Sequence, residues 1–400
     1  MIVWSAHAAT RASNLRPAEG AAHGVPLWQY DGGEVGSLAA SVPTAPRRPQ
    51  RPAWPRRPIA AALLTACVAF GAGCAGARAP APSARPAPAG ASPSSSAAPA
   101  PAASASTSAP TPVARSASGV PAFSHVFIIV LENLDYGAAI ALPYVSTLAA
   151  HYAVAAAYDS VAHPSLPNYL ALTSGETWVD SDCFSCYQNA PNLASEAAAA
   201  GVSWGAYMEG LPSSCYLGPF SLLSEYAGKH DPFRYYDDVR ESPALCSRIQ
   251  PLTALEPLLQ PAAGGASAPA SPMPRLVWIT PNLCNDGHDC AAQKADAWLS
   301  SFVPQILASP AWRQGGVLFI TWDESNGGDD VSCCGVPAGR GGGHVLTLVV
   351  APGLPAGLQV DVPYDNYSLL ATMEDGLGLP LLGQAKTADP MGAFWAAGGA

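Results

Sequence analysis

The chain has no apolar run long enough to cross a bilayer as a mature helix, which takes about 20 residues. Its best stretch, residues 59–73, has the size of a secretory h-region instead. Charge is scarce, at 12% of residues, and unevenly placed. No lysine occurs in the first 116 residues; ten arginines against three acids leave that part near +7. Residues 117–400 carry nine basic and 26 acidic residues, a net of −17. That deficit of positive charge argues against nucleic acid as a bound partner, because a polyanion would be repelled. The acidic part also lacks a basic amphipathic helix of the kind that lies flat in a membrane surface. A second CxxC to match Cys183-Phe-Ser-Cys186 is missing too, which argues against a thiolate metal site or a redox motif.

What precedes residue 118 divides into three parts. Residues 1–57 read as a disordered leader or an over-extended gene start. Arg56-Arg57 then precede the apolar run, and residues 58–78 form a signal-like segment with Cys67 and Cys74 in or just after it. The segment resembles a bacterial lipoprotein signal, so the expectation is an exported protein. It is either held at the cell envelope through a lipidated Cys67 or Cys74, or secreted. Residues 79–117 are almost wholly Ala, Pro and Ser, which cannot bury enough apolar surface to offset chain entropy. They read as a tether.

Residues 118–400 are long enough for one large core. Eight cysteines lie here, at 183, 186, 215, 246, 284, 290, 333 and 334, and an even count behind an export signal argues for disulfides. The adjacent Cys333 and Cys334 are expected to pair with separate partners. Apolar runs at 126–131, 202–208, 276–280, 317–321 and 345–350 read as strands. Helical patterns at 142–150, 194–200, 291–307 and 368–377 alternate with them. The expected fold is α/β: a mostly parallel central sheet with helices on both faces. In such sheets ligands bind beyond the carboxyl ends of the strands.

The polar residues at those ends are therefore the candidates. Ser165, in His163-Pro-Ser-Leu-Pro-Asn-Tyr169, precedes a helical run, and Pro167 suits a first helical turn. A serine there either caps the helix or attacks a phosphate, where the helix dipole favours an anion. The first run ends in Glu132-Asn133 and the run at 317 in Asp323-Glu324. Asp286-Gly-His288-Asp follows the run at 276, and His344 precedes the last run. Each has a plain reading as a cap, a turn or a solvated loop. Asp329-Asp330 read as solvated, and His151 and His230 carry no signal of their own. Carboxylates converging in one cleft would repel each other, and a divalent cation removes that cost. Hard oxygen ligands suit Ca, Mg or Mn, and Zn is also compatible.

Seven segments together resemble the phosphoesterase family of bacterial and fungal acid phosphatases and phospholipases C, in the alkaline-phosphatase-like superfamily. They are 126–133, 163–175, 207–209, 230–233, 280–290, 320–324 and 364–368, in order along the domain. The resemblance implies that Glu132, Asn133, Ser165, Asp323 and Glu324 surround a divalent metal ion, and that Ser165 is the nucleophile. It implies that His288, with Asp286, lines the phosphate site. From their places in the sequence, His288 or His163 is the candidate proton donor to the leaving alkoxide, and Asp286 and His344 are possible further ligands. The phospholipase C branch usually carries Glu-Asn-Arg-Ser-Phe-Asp, where this chain has Glu132-Asn-Leu-Asp-Tyr-Gly137. That departure favours the acid-phosphatase side. The expected activity is hydrolysis of small phosphomonoesters through a phosphoserine. Phosphodiesters, including phospholipids, are the alternative, and a non-catalytic surface protein of the same fold is a third. A sulfatase-like reading fails because Ser165-Leu-Pro-Asn-Tyr lacks the required arginine.

Overall fold

The computed structural model describes residues 117–260 and 272–396. The leader, the signal-like segment, most of the tether and both Cys67 and Cys74 lie outside the described residues. Within them, an eight-stranded sheet runs in the order Leu358–Val360, Ala153–Ala155, Thr347–Val350, Val317–Trp322, Val126–Leu131, Leu276–Thr280, Trp204–Met208 and Ile249–Pro251. The mostly parallel sheet expected from the alternating apolar runs is present. One strand departs: Thr347–Val350 pairs antiparallel with both its neighbours. Its apolar run looks like the others in sequence, since burial dictates composition and direction does not.

All six residues of Val126–Leu131 and of Val317–Trp322 are buried. Successive strand residues point to opposite faces, so burial of all of them means that both faces are covered. The covering helices fall into two packed groups. Pro143–His151 packs with Ala292–Ala308, and Ser165–Ser174 packs with Asn366–Leu377. The observed boundaries sit within two residues of the sequence reading. No helix among the described residues is long and apolar enough to cross a membrane.

All eight cysteines are bonded: 183–186, 215–246, 284–290 and 333–334. The last pair corrects the sequence expectation of separate partners. The other six cysteines pair among themselves, which leaves Cys333 and Cys334 only each other. Cys183 and Cys186 form a short disulfide loop, a pairing the sequence left open.

Candidate active site

Strand register brings the acids together. Leu131 pairs with Trp322 at the carboxyl ends of two adjacent parallel strands, so Glu132 and Asp323 leave the sheet side by side. Backbone bonds fix both exits: Asp323 N donates to Leu131 O at 2.8 Å, and Leu134 N donates to Glu324 O at 3.1 Å. The next strand, Leu276–Thr280, leads into the 281–290 loop, where Asp286 O accepts from Glu132 N at 3.0 Å. Asn133 takes a left-handed backbone, φ 53°, which asparagine tolerates better than most residues. That turn aims its N–H at Asp323 Oδ1, 3.1 Å away, and its side chain donates to Glu132 Oε2 at 3.0 Å.

Ser165 is the first residue of its helix and is buried. Gly175 ends the helix with φ 73°, and a Cβ there would meet Leu382 O at 2.5 Å, so glycine is required. Ser165 Oγ lies 3.0 Å from Glu132 Oε2 and 3.3 Å from Glu324 Oε1, and its single proton is shared between two carboxylates. Tyr169, one turn on, donates to Glu132 Oε1 at 2.6 Å. The helix N-terminus is not free for an anion: Leu166 N already donates to Asp182 Oδ1 at 3.0 Å. The sequence reading expected bare N–H groups there. A carboxylate from the following loop has taken the position instead.

Two residues that the sequence reading did not single out complete the cluster. His230 is buried, with Nδ1 3.0 Å from Asp286 Oδ2 and Nε2 3.1 Å from Glu132 Oε1. The second contact is within ion-pair range but off hydrogen-bond alignment, which leaves Nε2 without a bonded partner. Lys229 is half-buried, and its Nζ reaches Ser165 Oγ at 3.3 Å, Asp182 Oδ2 at 2.7 Å and His288 Nε2 at 3.2 Å. An ammonium only donates, so His288 Nε2 accepts and Nδ1–H points to Asp289 Oδ1, 2.6 Å away. Lys229 is one of three lysines in the chain, and its scarcity in an acidic domain was the available signal.

The remaining candidates fall around this core. His163 contacts Glu324 Oε2 through Nδ1 and sits 3.1 Å from Asp329 O through Nε2. Asp286 touches the imidazole of His230 and accepts from His288 N at 2.8 Å, so it orients two histidines. The His344 ring stacks on Tyr136 and bonds to Ala156 O, and its backbone N–H donates to Asp329. The side chain of Asp329 is not idle, because it accepts from His344 N at 3.0 Å. A cavity of about 240 Å³ adjoins Glu132, Asn133, Asp286 and His288, and a larger one of about 760 Å³ opens beside His163, Tyr367 and Arg340.

Electrostatics show what the cluster needs. Burial alone would raise the Glu132 carboxyl, but His230 and Lys229 hold it down at about 2. Burial lowers His230, yet Glu132 and Asp286 outweigh it and raise the imidazole to about 9. The hydrogen bond to Glu324 raises His163, against the effect of burial. Asp323 has no cation of its own. Burial, then Glu132 and Glu324, push it well above the usual carboxylate range, and its Oδ2 is buried with no partner. Burial raises Asp286 as well.

These residues fit a divalent cation. The orphaned Asp323 oxygen and the excess of buried carboxylates call for positive charge. Ligand atoms of Glu132, His230 and His288 lie within 4.8 Å of one another. His230, oriented by Asp286 through Nδ1, presents Nε2 as carboxylate-backed metal ligands do.

A model described as the Phosphoesterase family matches residues 131–380. A phosphatidylinositol-3-phosphatase of Mycobacterium tuberculosis is 32% identical over 292 residues, which cover 71% of this chain and 86% of that protein. A probable acid phosphatase of Kluyveromyces lactis is 30% identical over 273 residues, covering 66% of this chain and 60% of the relative's length. A solved protein of the alkaline phosphatase superfamily from Vibrio parahaemolyticus matches at 13% identity and TM-score 0.43, over 66% of this chain and 70% of that one.

Proposed function

The chain belongs to the Phosphoesterase family, and on that premise we propose that it is a metal-dependent hydrolase of small phosphomonoesters with Ser165 as nucleophile. One observation carries the reading. Ser165 Oγ sits within 3.3 Å of two carboxylates and one ammonium, a serine held between proton acceptors and an anion-binding cation. The rival reading of a non-catalytic protein requires a broken acid set, and the acids here converge.

Glu132, Asp323, Glu324 and His230, with Asn133 beside them, are the groups that would hold the cation. A divalent ion there supplies Lewis-acid charge to a phosphoryl oxygen and favours ionisation of a nearby hydroxyl. The protein's own residues do the rest. Ser165 Oγ forms a bond to phosphorus as the phosphorus–alcohol oxygen bond breaks. Its proton passes to Glu324, backed by His163. Lys229 and Asn133 pair with the equatorial oxygens, where charge grows. The departing alkoxide takes a proton from His163, whose protonated form the hydrogen bond to Glu324 favours. Water then attacks the phosphoserine, the phosphorus–Oγ bond breaks, inorganic phosphate leaves and Ser165 regains its proton. The alcohol portion of the ester has room in the cavity beside His163.

Small esters are the partners of this site, and nucleic acid is not. Four disulfides support an exported protein, at the envelope or secreted. The test is acid-quenched turnover of p-nitrophenyl phosphate with peptide mapping. Phosphate found on Ser165 supports the reading; a phosphorylated residue elsewhere, or none under burst conditions, removes it. Bis-p-nitrophenyl phosphate and phosphatidylcholine, run alongside, decide between monoester and diester.

A further inference from the structure

Beside the site stands an apolar ridge that the chemistry above does not use. Phe220–Ser221 and Tyr226–Ala227 form a small antiparallel hairpin. At its tip Leu222 and Leu223 are 85% and 101% exposed. The hairpin is built to hold that tip out. Ser224 Oγ donates to Gly210 O at 2.5 Å, and Glu225 O accepts from Leu283 N at 2.9 Å. Phe220, itself exposed, meets the exposed Phe184 with ring centroids 6.3 Å apart. Phe184 rides on the Cys183–Cys186 disulfide loop, and Arg234 pins its carbonyl from beneath.

Both arms of the ridge run directly into the active site. The hairpin ends two residues before Lys229. The disulfide loop follows Asp182, which caps the Ser165 helix and pairs with Lys229. Large apolar side chains presented on convex, braced turns lose free energy to water unless something covers them.

We propose that this ridge, Phe184, Phe220, Leu222 and Leu223, seats the domain on an uncharged or zwitterionic lipid surface with the mouth of the active site at the interface. Charge selects that partner. The ridge carries no cation at its tip, and the −17 of residues 117–400 repels anionic lipid. The sequence points the same way: an apolar run ends at Cys74, and the 79–117 segment follows it, long enough to reach back to a surface at which that run is held. The sequence offers no amphipathic helix for the purpose, and a pair of braced turns serves in its place. The proposal does not depend on Ser165 being the nucleophile.

The experiment is amide hydrogen exchange on the full chain, with and without phosphatidylcholine vesicles, for the wild type and a Leu222→Ser, Leu223→Ser double variant. Peptides covering 183–187 and 219–226 should exchange roughly tenfold more slowly on vesicles, and the variant should lose that protection. Thermal unfolding of the variant should match the wild type, because the replaced side chains are exposed. No protection in the wild type, or equal protection in the variant, overturns the proposal. So does protection without lipid: if it grows with concentration as the mass doubles, the occupant is a second copy. If it is independent of concentration, the occupant is a segment of this chain such as 59–73. No readout uses turnover, so failure here is separate from failure of the phosphatase reading.

Discussion

The two sides of the active site are made differently. The acid side, Glu132, Asp323 and Asp286, issues from the ends of three adjacent strands, and sheet register sets its spacing. The basic side, Lys229, His230 and the capping Asp182, issues from the segments flanking the strand Trp204–Met208, held by the 183–186 and 215–246 disulfides. The first is rigid because the sheet is buried on both faces. The second is rigid because short loops are stapled. The proposed chemistry at Ser165 needs both, since an acid cluster without a cation opposite it repels a phosphate.

The largest break in this comparison is at the residue both sides share. Ser165→Ala should lower p-nitrophenyl phosphate turnover by roughly a thousandfold, because it removes the proposed attacking oxygen. Residual turnover above a few per cent of wild type contradicts the assignment. On the acid side alone, Asp323→Asn should cost roughly a hundredfold in turnover and leave the fold intact. Asparagine still accepts the Asn133 N–H, and the substitution replaces the buried Oδ2, which has no hydrogen-bond partner. In chelator the variant should melt at or above the wild-type temperature. Adding a divalent ion should raise the wild-type Tm more than that of the variant, since binding to the native state alone is stabilising. Equal ion-induced shifts would remove Asp323 from the cation site.

The basic side should give a smaller effect. Lys229→Gln keeps a donor beside Ser165 but loses the charge, and turnover should fall roughly ten- to a hundredfold. Its signature differs from that of Asp323→Asn, because the response of Tm to divalent ion should persist. If chelation and Lys229→Gln behaved alike in both assays, the division into two sides would fail.

Legibility in the sequence follows the same division. Apolar runs predicted the strands and their polar ends, so Glu132, Asp323 and Glu324 stood out, and the His-Pro-Ser-Leu-Pro segment gave Ser165. These signals are local in sequence. Lys229 and His230 were harder because their roles rest on contacts dozens of residues away, with Ser165, Glu132 and Asp286. Asp182 has no motif around it that the sequence reading singled out, though it accepts from the backbone of a helix 16 residues upstream. His344 carried the right chemistry before a strand, but the small sheet with Tyr158–Ser160 directs its ring to Tyr136 and Ala156. Direction was equally hidden for Thr347–Val350, whose composition reports burial alone.

The subtlest test concerns a buried acid outside the active site. Glu374 lies in the Asn366–Leu377 helix, fully buried, and accepts only from Leu382 N at 3.2 and 3.3 Å. Burial raises its carboxyl to about 9. In the unfolded chain it titrates near its ordinary value, so between about pH 4.5 and 9 the unfolded state releases a proton that the folded state keeps. Its contribution to stability therefore declines as pH rises through that window and is constant below it. Glu374→Gln keeps an acceptor for Leu382 N and removes the titration. The variant should gain on the order of 1–3 kcal/mol over wild type at pH 7, seen as a Tm higher by several degrees, and the gap should close near pH 4. Turnover and the response to chelator should stay as in the wild type. A gap that is flat with pH would mean that Glu374 is ionised in the fold, and that burial alone does not separate the acids of the active site from the rest.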